Sequence, residues 1–171
     1  MRALIVVDML KDFICEKGTL YGGRKFEKII PVIRKKIEEA HQKRNVVIFL
    51  TSVHAEDDMG FKCFTPHCIK GKWGSEIIDE LDVDKRDYVI SKARYSGFYN
   101  TSLEAVLKKH NITAADVVGV CTSICVMDTV GGLRNRDIKV SVFKEAVADF
   151  DEEFHEYALK RMKRIYKAEI E

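Results

Sequence analysis

A three-layer α/β domain, with a mostly parallel sheet of five or six strands covered by helices on both faces, is predicted from three observations. Short β-branched runs alternate with segments of helical period, most of those runs are continuously apolar, and the chain has 171 residues of which 46% are hydrophobic and only 2 are Pro. Strand and helix in alternation imply right-handed crossovers and therefore parallel strands. A strand covered on both faces reads as an unbroken apolar run. One core serves a chain of this length, so residues 1–171 are read as a single domain.

The first strand is Ala3 to Val7, and Val46 to Leu50, Tyr88 to Ile90 and Val117 to Val120 repeat its pattern, while Ile138 to Phe143 alternates. Phe26, Ile29, Ile30, Ile33 and Ile37 recur at helical spacing after the first strand. Leu103, Val106 and Leu107 follow the third, behind Thr101-Ser102-Leu103-Glu104, which has capping-box spacing. A helical stretch from Cys125 to Leu133 follows the fourth. Phe154, Tyr157, Ala158 and Met162 predict a last helix that Asp149 or Asp151 can cap. Thr51 to Gly74, rich in His, Cys, Asp, Lys and aromatic residues, is longer than a connection between strand and helix needs. Long irregular segments in compact α/β domains are usually functional.

Charge excludes some partners. Lys and Arg number 29 against 27 Asp and Glu, a net +2, and the basic runs at 34–36 and 161–164 sit beside Glu38-Glu39 and Glu152-Glu153. Such interleaving describes solvated helix faces and gives no electrostatic case for nucleic acid. The apolar run from Ala3 to Val7 is too short for a signal peptide or a membrane span, so a cytoplasmic protein with no membrane partner is expected. Five cysteines, Cys15, Cys63, Cys68, Cys121 and Cys125, are then expected as thiols.

Ligands of open α/β sheets bind beyond the carboxyl ends of the strands. Asp8 ends the first strand, Lys92 follows the third, and Cys121 and Cys125 follow the fourth. Singly, each has an ordinary structural role: a loop-bonding Asp, a solvated Lys, a small buried Cys. Together they are a chemical set. An ammonium and a helix N-terminus both favour a thiolate, and a carboxylate can take the thiol proton and return it to a leaving amine.

These residues also carry a family resemblance. The segment Val6-Val7-Asp8-Met9-Leu10-Lys11-Asp12-Phe13 resembles the opening of the isochorismatase-like cysteine hydrolases, the superfamily that contains the nicotinamidases. Lys92-Ala93-Arg94-Tyr95-Ser96-Gly97-Phe98 is similar to their lysine motif, Gly119-Val120-Cys121-Thr122-Ser123-Ile124-Cys125-Val126 to their nucleophile motif, and Pro66-His67-Cys68-Ile69-Lys70-Gly71 to a segment of their long loop. The resemblance implies a Rossmann-like fold with Asp8 as acid and base, Lys92 as electrostatic partner and Cys125 as nucleophile. It places Cys121 where the family usually has Ala, after a cis peptide with Val120, and makes the N–H groups of Cys121 and Cys125 an oxyanion hole. Nicotinamide hydrolysis to nicotinate and ammonia through a cysteine thioester is the implied reaction, with Phe13, Tyr95 and Phe98 as neighbours of a flat ring.

Nicotinamidases hold a divalent metal such as zinc, a role the resemblance gives to His54 and His67. Ser52 stands where their carboxylate should be, so an oxygen donor would have to come from Glu56, Asp57 or Asp58. The same Ser52 favours an alternative, a metal-free hydrolase of the superfamily acting on another small amide, a carbamoyl or ureido compound, or isochorismate. A third reading makes Cys121 and Cys125 a non-catalytic thiol redox switch. Members of the superfamily commonly assemble as homodimers or homotetramers.

Overall fold

The computed structural model describes residues 1–171. In chain order the elements are β1 (Arg2–Val7), α1 (Lys11–Ile14), α2 (Arg24–Glu27), α3 (Ile30–Gln42), β2 (Val46–Ser52), β3 (Tyr88–Lys92), α4 (Leu103–Lys109), β4 (Ala114–Val120), α5 (Met127–Arg134), β5 (Lys139–Ala148), α6 (Glu152–Arg164) and β6 (Glu169–Ile170). The strands form one sheet in the order β3-β2-β1-β4-β5-β6, with every pairing parallel. No helix is long and apolar enough to cross a membrane.

Two cores explain the continuous apolar runs. Ala3, Ile5 and Val7 of β1 face Leu103 and Leu107 of α4, Leu133 of α5 and Met162 of α6. Leu4 and Val6 face the opposite layer, with Phe26 of α2 and Ile33 and Ile37 of α3. Alternate residues of one strand thus enter opposite cores, as the two-residue period of a strand requires. The expected helix through Phe26 and Ile37 is divided, and Pro31 sits in the first turn of α3, where its missing N–H would have had no helical partner.

Three expectations are corrected at this level, and the choice between Asp149 and Asp151 as cap is resolved. The last helix buries His155, Ala158, Leu159 and Met162, whereas Phe154 and Tyr157 stand 60% and 56% exposed. Both stripes have helical spacing, and the buried one contains the imidazole that bonds Thr122, with Nδ1 2.9 Å from Oγ1. The capping box does not close: Thr101 Oγ1 accepts from the Leu103 N–H at 3.2 Å, while Glu104 pairs with Lys108 and Arg136. Asp151, not Asp149, caps α6 by accepting the Phe154 N–H at 2.9 Å. Finally, β5 runs on to Ala148, because Val117 pairs with Val142 but Gly119 with Val147, a bulge that carries the strand past its expected end.

Parallel register sets the strand ends at one rim. Val7 lies opposite both Leu50 and Gly119, and Ser52 opposite Lys92. The crossover from β2 to β3 has no α-helix; it lies over this rim, where Asp12 Oδ2 accepts the Cys68 N–H at 2.6 Å and His54 bridges to Ile69. Gly119 makes the β1–β4 approach possible. It has φ +114°, and a Cβ there would lie 2.0 Å from the Val7 carbonyl oxygen. Gly119→Ala is therefore expected to destabilise the fold by at least about 1–3 kcal/mol, read as a lowered denaturation midpoint with an unchanged slope.

Candidate active site

Asp8, Lys92 and Cys125 meet at the rim. Asp8 leaves β1 with φ 51°, a left-handed turn that few residues other than Gly and Asn or Asp accept, and its N–H still donates to the Leu50 carbonyl at 2.9 Å. Its Oδ1 accepts the Ser52 N–H at 2.7 Å, and its Oδ2 lies 2.8 Å from Lys92 Nζ. That ion pair is fully enclosed, with side chains 1% and 0% exposed, yet Oδ2 accepts no well-directed hydrogen bond. Lys92 Nζ donates to Ser52 Oγ at 2.9 Å and reaches Cys125 Sγ at 3.3 Å.

Burial works against the Lys92 ammonium, but the Asp8 carboxylate and Cys125 outweigh it and raise its pKa well above the usual lysine range. Burial pushes the Cys125 thiol up, against the lowering effect of Lys92 and with a further rise from Asp8. Desolvation thus opposes the thiolate that the neighbouring ammonium favours.

Cys125 stands inside a turn of π-helical form, Thr122–Val126, that leads into α5, so the helical stretch begins three residues earlier than expected. Two buried groups anchor this turn. Asp149 Oδ2 accepts the Ser123 N–H at 2.6 Å, and His155 bonds Thr122. The expected cis peptide joins Val120 to Cys121, and the Cys121 N–H donates to no backbone carbonyl. Cys121 is buried, which raises its thiol pKa strongly, and all five cysteines are free.

A cavity of about 260 Å³ opens above these groups. Phe13 and Tyr95 line it, joined by Phe64, Ile124 and Phe150, which periodicity does not mark. Phe98 is a correction. It packs against Gly132 of α5 and under the Arg136 guanidinium, 3.9 Å from the ring centroid, and does not line the cavity. His54 and His67 do line it, with ring centroids 5.0 Å apart.

The isochorismatase domain matches residues 2–169. The chain belongs to the isochorismatase family. This family membership and its nicotinamidase-like relatives make the protein a hydrolase of C–N bonds in small amides. An uncharacterized isochorismatase family protein of Bacillus subtilis, PncA, is 31% identical over 99% of this chain and 98% of its own. Among solved structures, the pyrazinamidase/nicotinamidase of Streptococcus mutans superposes with a TM-score of 0.94 at 29% identity, covering 100% of both chains. N-carbamoylsarcosine amidase of Thermoplasma acidophilum gives 0.90 at 33% identity, over 99% and 95% of the two chains. A Pyrococcus horikoshii pyrazinamidase solved in complex with zinc gives 0.93 at 29%, over 99% and 98%.

The two histidines that the resemblance gives to a divalent metal stand here without an anionic partner. Each imidazole has Nδ1 tied down, His54 to Asp58 Oδ2 at 3.1 Å and His67 to the Thr65 carbonyl at 2.7 Å, which leaves Nε2 free in the manner of a metal ligand. The third donor is missing. Ser52 Oγ is bonded to Lys92, Glu56 is exposed and 4.0 Å from Lys72, and Asp57 is exposed. Asp58 accepts the Gly60 N–H at 2.7 Å and pairs with His54 and Arg94, contacts that hold its carboxyl down to about 2. The three-residue cluster with ligand geometry lies elsewhere, at Glu152, His155 and Glu156 of α6. Two imidazoles alone do not fit a resident divalent ion.

Proposed function

We propose that the protein is a cysteine-dependent amidohydrolase of a small amide. The observation that carries this reading is the enclosed contact of Asp8, Lys92 and Cys125 beneath an apolar cavity. Asp8 Oδ2, free of any directed hydrogen bond, takes the Cys125 proton as sulfur attacks the amide carbonyl carbon. The C–S bond forms, and the carbonyl oxygen gathers charge that the N–H groups of Cys121 and Cys125 receive. Asp8 then delivers its proton to the nitrogen, the C–N bond breaks and ammonia leaves. Water attacks the thioester, giving up a proton to Asp8, which returns it to sulfur as the acid departs. Lys92 keeps its charge throughout and stabilises both the carboxylate and the transient thiolate.

Nicotinamide is the substrate we favour from the relatives, and Phe13, Phe64 and Tyr95 suit one flat ring. A second reading, a carbamoyl or ureido amide handled without metal, is supported by Ser52 and by the N-carbamoylsarcosine amidase relative. Ammonia release across a panel of small amides tests both. Release from nicotinamide identifies the first and release from ureido compounds the second; no release from any of them overturns the amidohydrolase reading.

Metal content tests the His pair separately. Ser52 and His54 lie on one side of an extended segment and both line the cavity, so Ser52→Asp supplies the missing carboxylate. Zinc binding by that variant is expected to strengthen by at least about tenfold over the unaltered protein, measured by equilibrium dialysis after chelation. Stoichiometric zinc retained by the unaltered protein, and lost in His54→Ala, would show that the pair already binds an ion without a carboxylate.

A further inference from the structure

We propose that the cavity also takes amides substituted on nitrogen, and that Leu20, Ile124 and Phe150 form a subsite for an apolar group carried by the leaving amine, a substrate class resting on the amidohydrolase reading. Residues beyond five adjacent strand ends line the cavity: Tyr95 past β3, His54 past β2, Asp8 past β1, Ile124 and Cys125 past β4, and Phe150 past β5. Neighbouring strands lie about 4.8 Å apart, so five ends span about 19 Å. Asp8 and Cys125 stand at the β1 and β4 ends, in the middle of that span. Room therefore continues on both sides of the scissile bond, and a primary amide fills only one of them.

The two sides are built differently. Towards β2 and β3 stand Phe64 and Tyr95, edge to face with ring centroids 6.4 Å apart, the wall already assigned with Phe13 to a flat acyl ring. Towards β5 the side chains are aliphatic or aromatic only. Leu20 and Ile124 are half-buried against the core that contains Phe26, and Phe150 is 38% exposed with its ring 5.1 Å from that of Phe26. Phe150 is thus held in place without being covered. Its neighbour Asp149 is turned onto the Ser123 N–H and does not line the cavity, so no carboxylate intrudes there. Such a surface favours an apolar occupant and offers nothing to departing ammonia. The amide carbon links the two sides through its three substituents. With oxygen at the N–H groups of Cys121 and Cys125, and the acyl ring among Phe13, Phe64 and Tyr95, nitrogen is directed to the remaining side. Sulfur bonds to the carbonyl carbon, Asp8 passes the thiol proton to nitrogen, and the C–N bond breaks. A primary amine then leaves in place of ammonia, and water converts the thioester to the acid.

Two secondary amides of one acid isolate the subsite. Each primary amide of the panel is compared with its N-methyl and N-benzyl derivatives, and with a primary amide lengthened by a fused ring on the acyl side, by the acid released. For the acyl group turned over best, the N-benzyl amide is expected to exceed the N-methyl amide in kcat/KM by about 10- to 100-fold, the effect of burying one large apolar group. Phe150→Ala is expected to bring that ratio to within a few-fold of one. Leu20→Trp, which fills the subsite from a loop, is expected to do the same and serves where loss of the Phe26 contact disturbs folding. Hydrolysis of primary amides alone, a ratio near one in the unaltered protein, a ratio that survives both variants, or a gain confined to the amide lengthened on its acyl side would overturn the proposal while the amidohydrolase reading stands. If no amide of any kind is hydrolysed, that reading fails and the subsite falls with it.

Discussion

Replacing Cys125 by Ala is expected to abolish ammonia release, a loss of at least about 10⁴-fold in kcat, with little change in Tm. The side chain is only partly buried and makes one polar contact of note, the 3.3 Å approach of Lys92, so its removal leaves no cavity of consequence in either core. Cys121→Ala is expected to retain activity within a few-fold, because the proposed oxyanion donor at that position is the backbone N–H, which Ala keeps. Mass spectrometry after reaction with a substrate-like electrophile should place the adduct on Cys125. An adduct confined to Cys121, with Cys125→Ala still active, would transfer the nucleophile and dismantle the proposed mechanism. A disulfide between the two that forms under mild oxidation and controls activity would instead support the redox reading.

What the sequence made legible follows from which forces are local. The buried strands announced themselves because a strand inside two cores must be apolar at successive positions, and Asp8 was conspicuous because it interrupts such a run at Val7. β6, only Glu169–Ile170, carries too few residues for any period to show. In α6, two stripes of helical spacing compete, and hydrophobicity favoured Phe154 and Tyr157 over a stripe containing His155. Only the tertiary bond to Thr122 decides for the latter. Phe98 failed for a related reason: an aromatic next to a motif is as well placed to cover Gly132 as to line a cavity. Sequence leaves Asp149 and Asp151 as equal cap candidates because both precede the helix; Asp151 is the cap, and the partner of Asp149 is the Ser123 N–H in a different segment. The Asp58–Arg94 contact was equally invisible, since it joins residues from two loops.

Lys92→Met is expected to lower both stability and turnover, and for separable reasons. The lysine is wholly enclosed, and its loss leaves the Asp8 carboxylate buried with the Ser52 N–H as its remaining hydrogen-bond donor. Breaking a buried pair on one side costs about 3–5 kcal/mol, which should be evident in the denaturation midpoint. The fold raises the lysine's pKa, so the stability this group contributes in the unaltered protein is present in full below the pKa of an unfolded lysine. It is lost only as pH rises through the higher folded value, and the deficit of the variant is therefore expected in full at neutral pH. For catalysis, the Lys92 charge lowers the Cys125 thiol pKa against burial, and without it the thiolate is harder to reach. The acid limb of the pH–rate profile is expected to move towards alkaline pH, with kcat/KM down by at least about 10²-fold at neutral pH. The double variant Asp8→Asn with Lys92→Met separates the effects, because it removes the uncompensated charge along with the base. Its midpoint should recover most of the loss while its activity stays abolished. A Lys92→Met protein with an unshifted profile would reduce the lysine to a packing element, whatever its effect on stability.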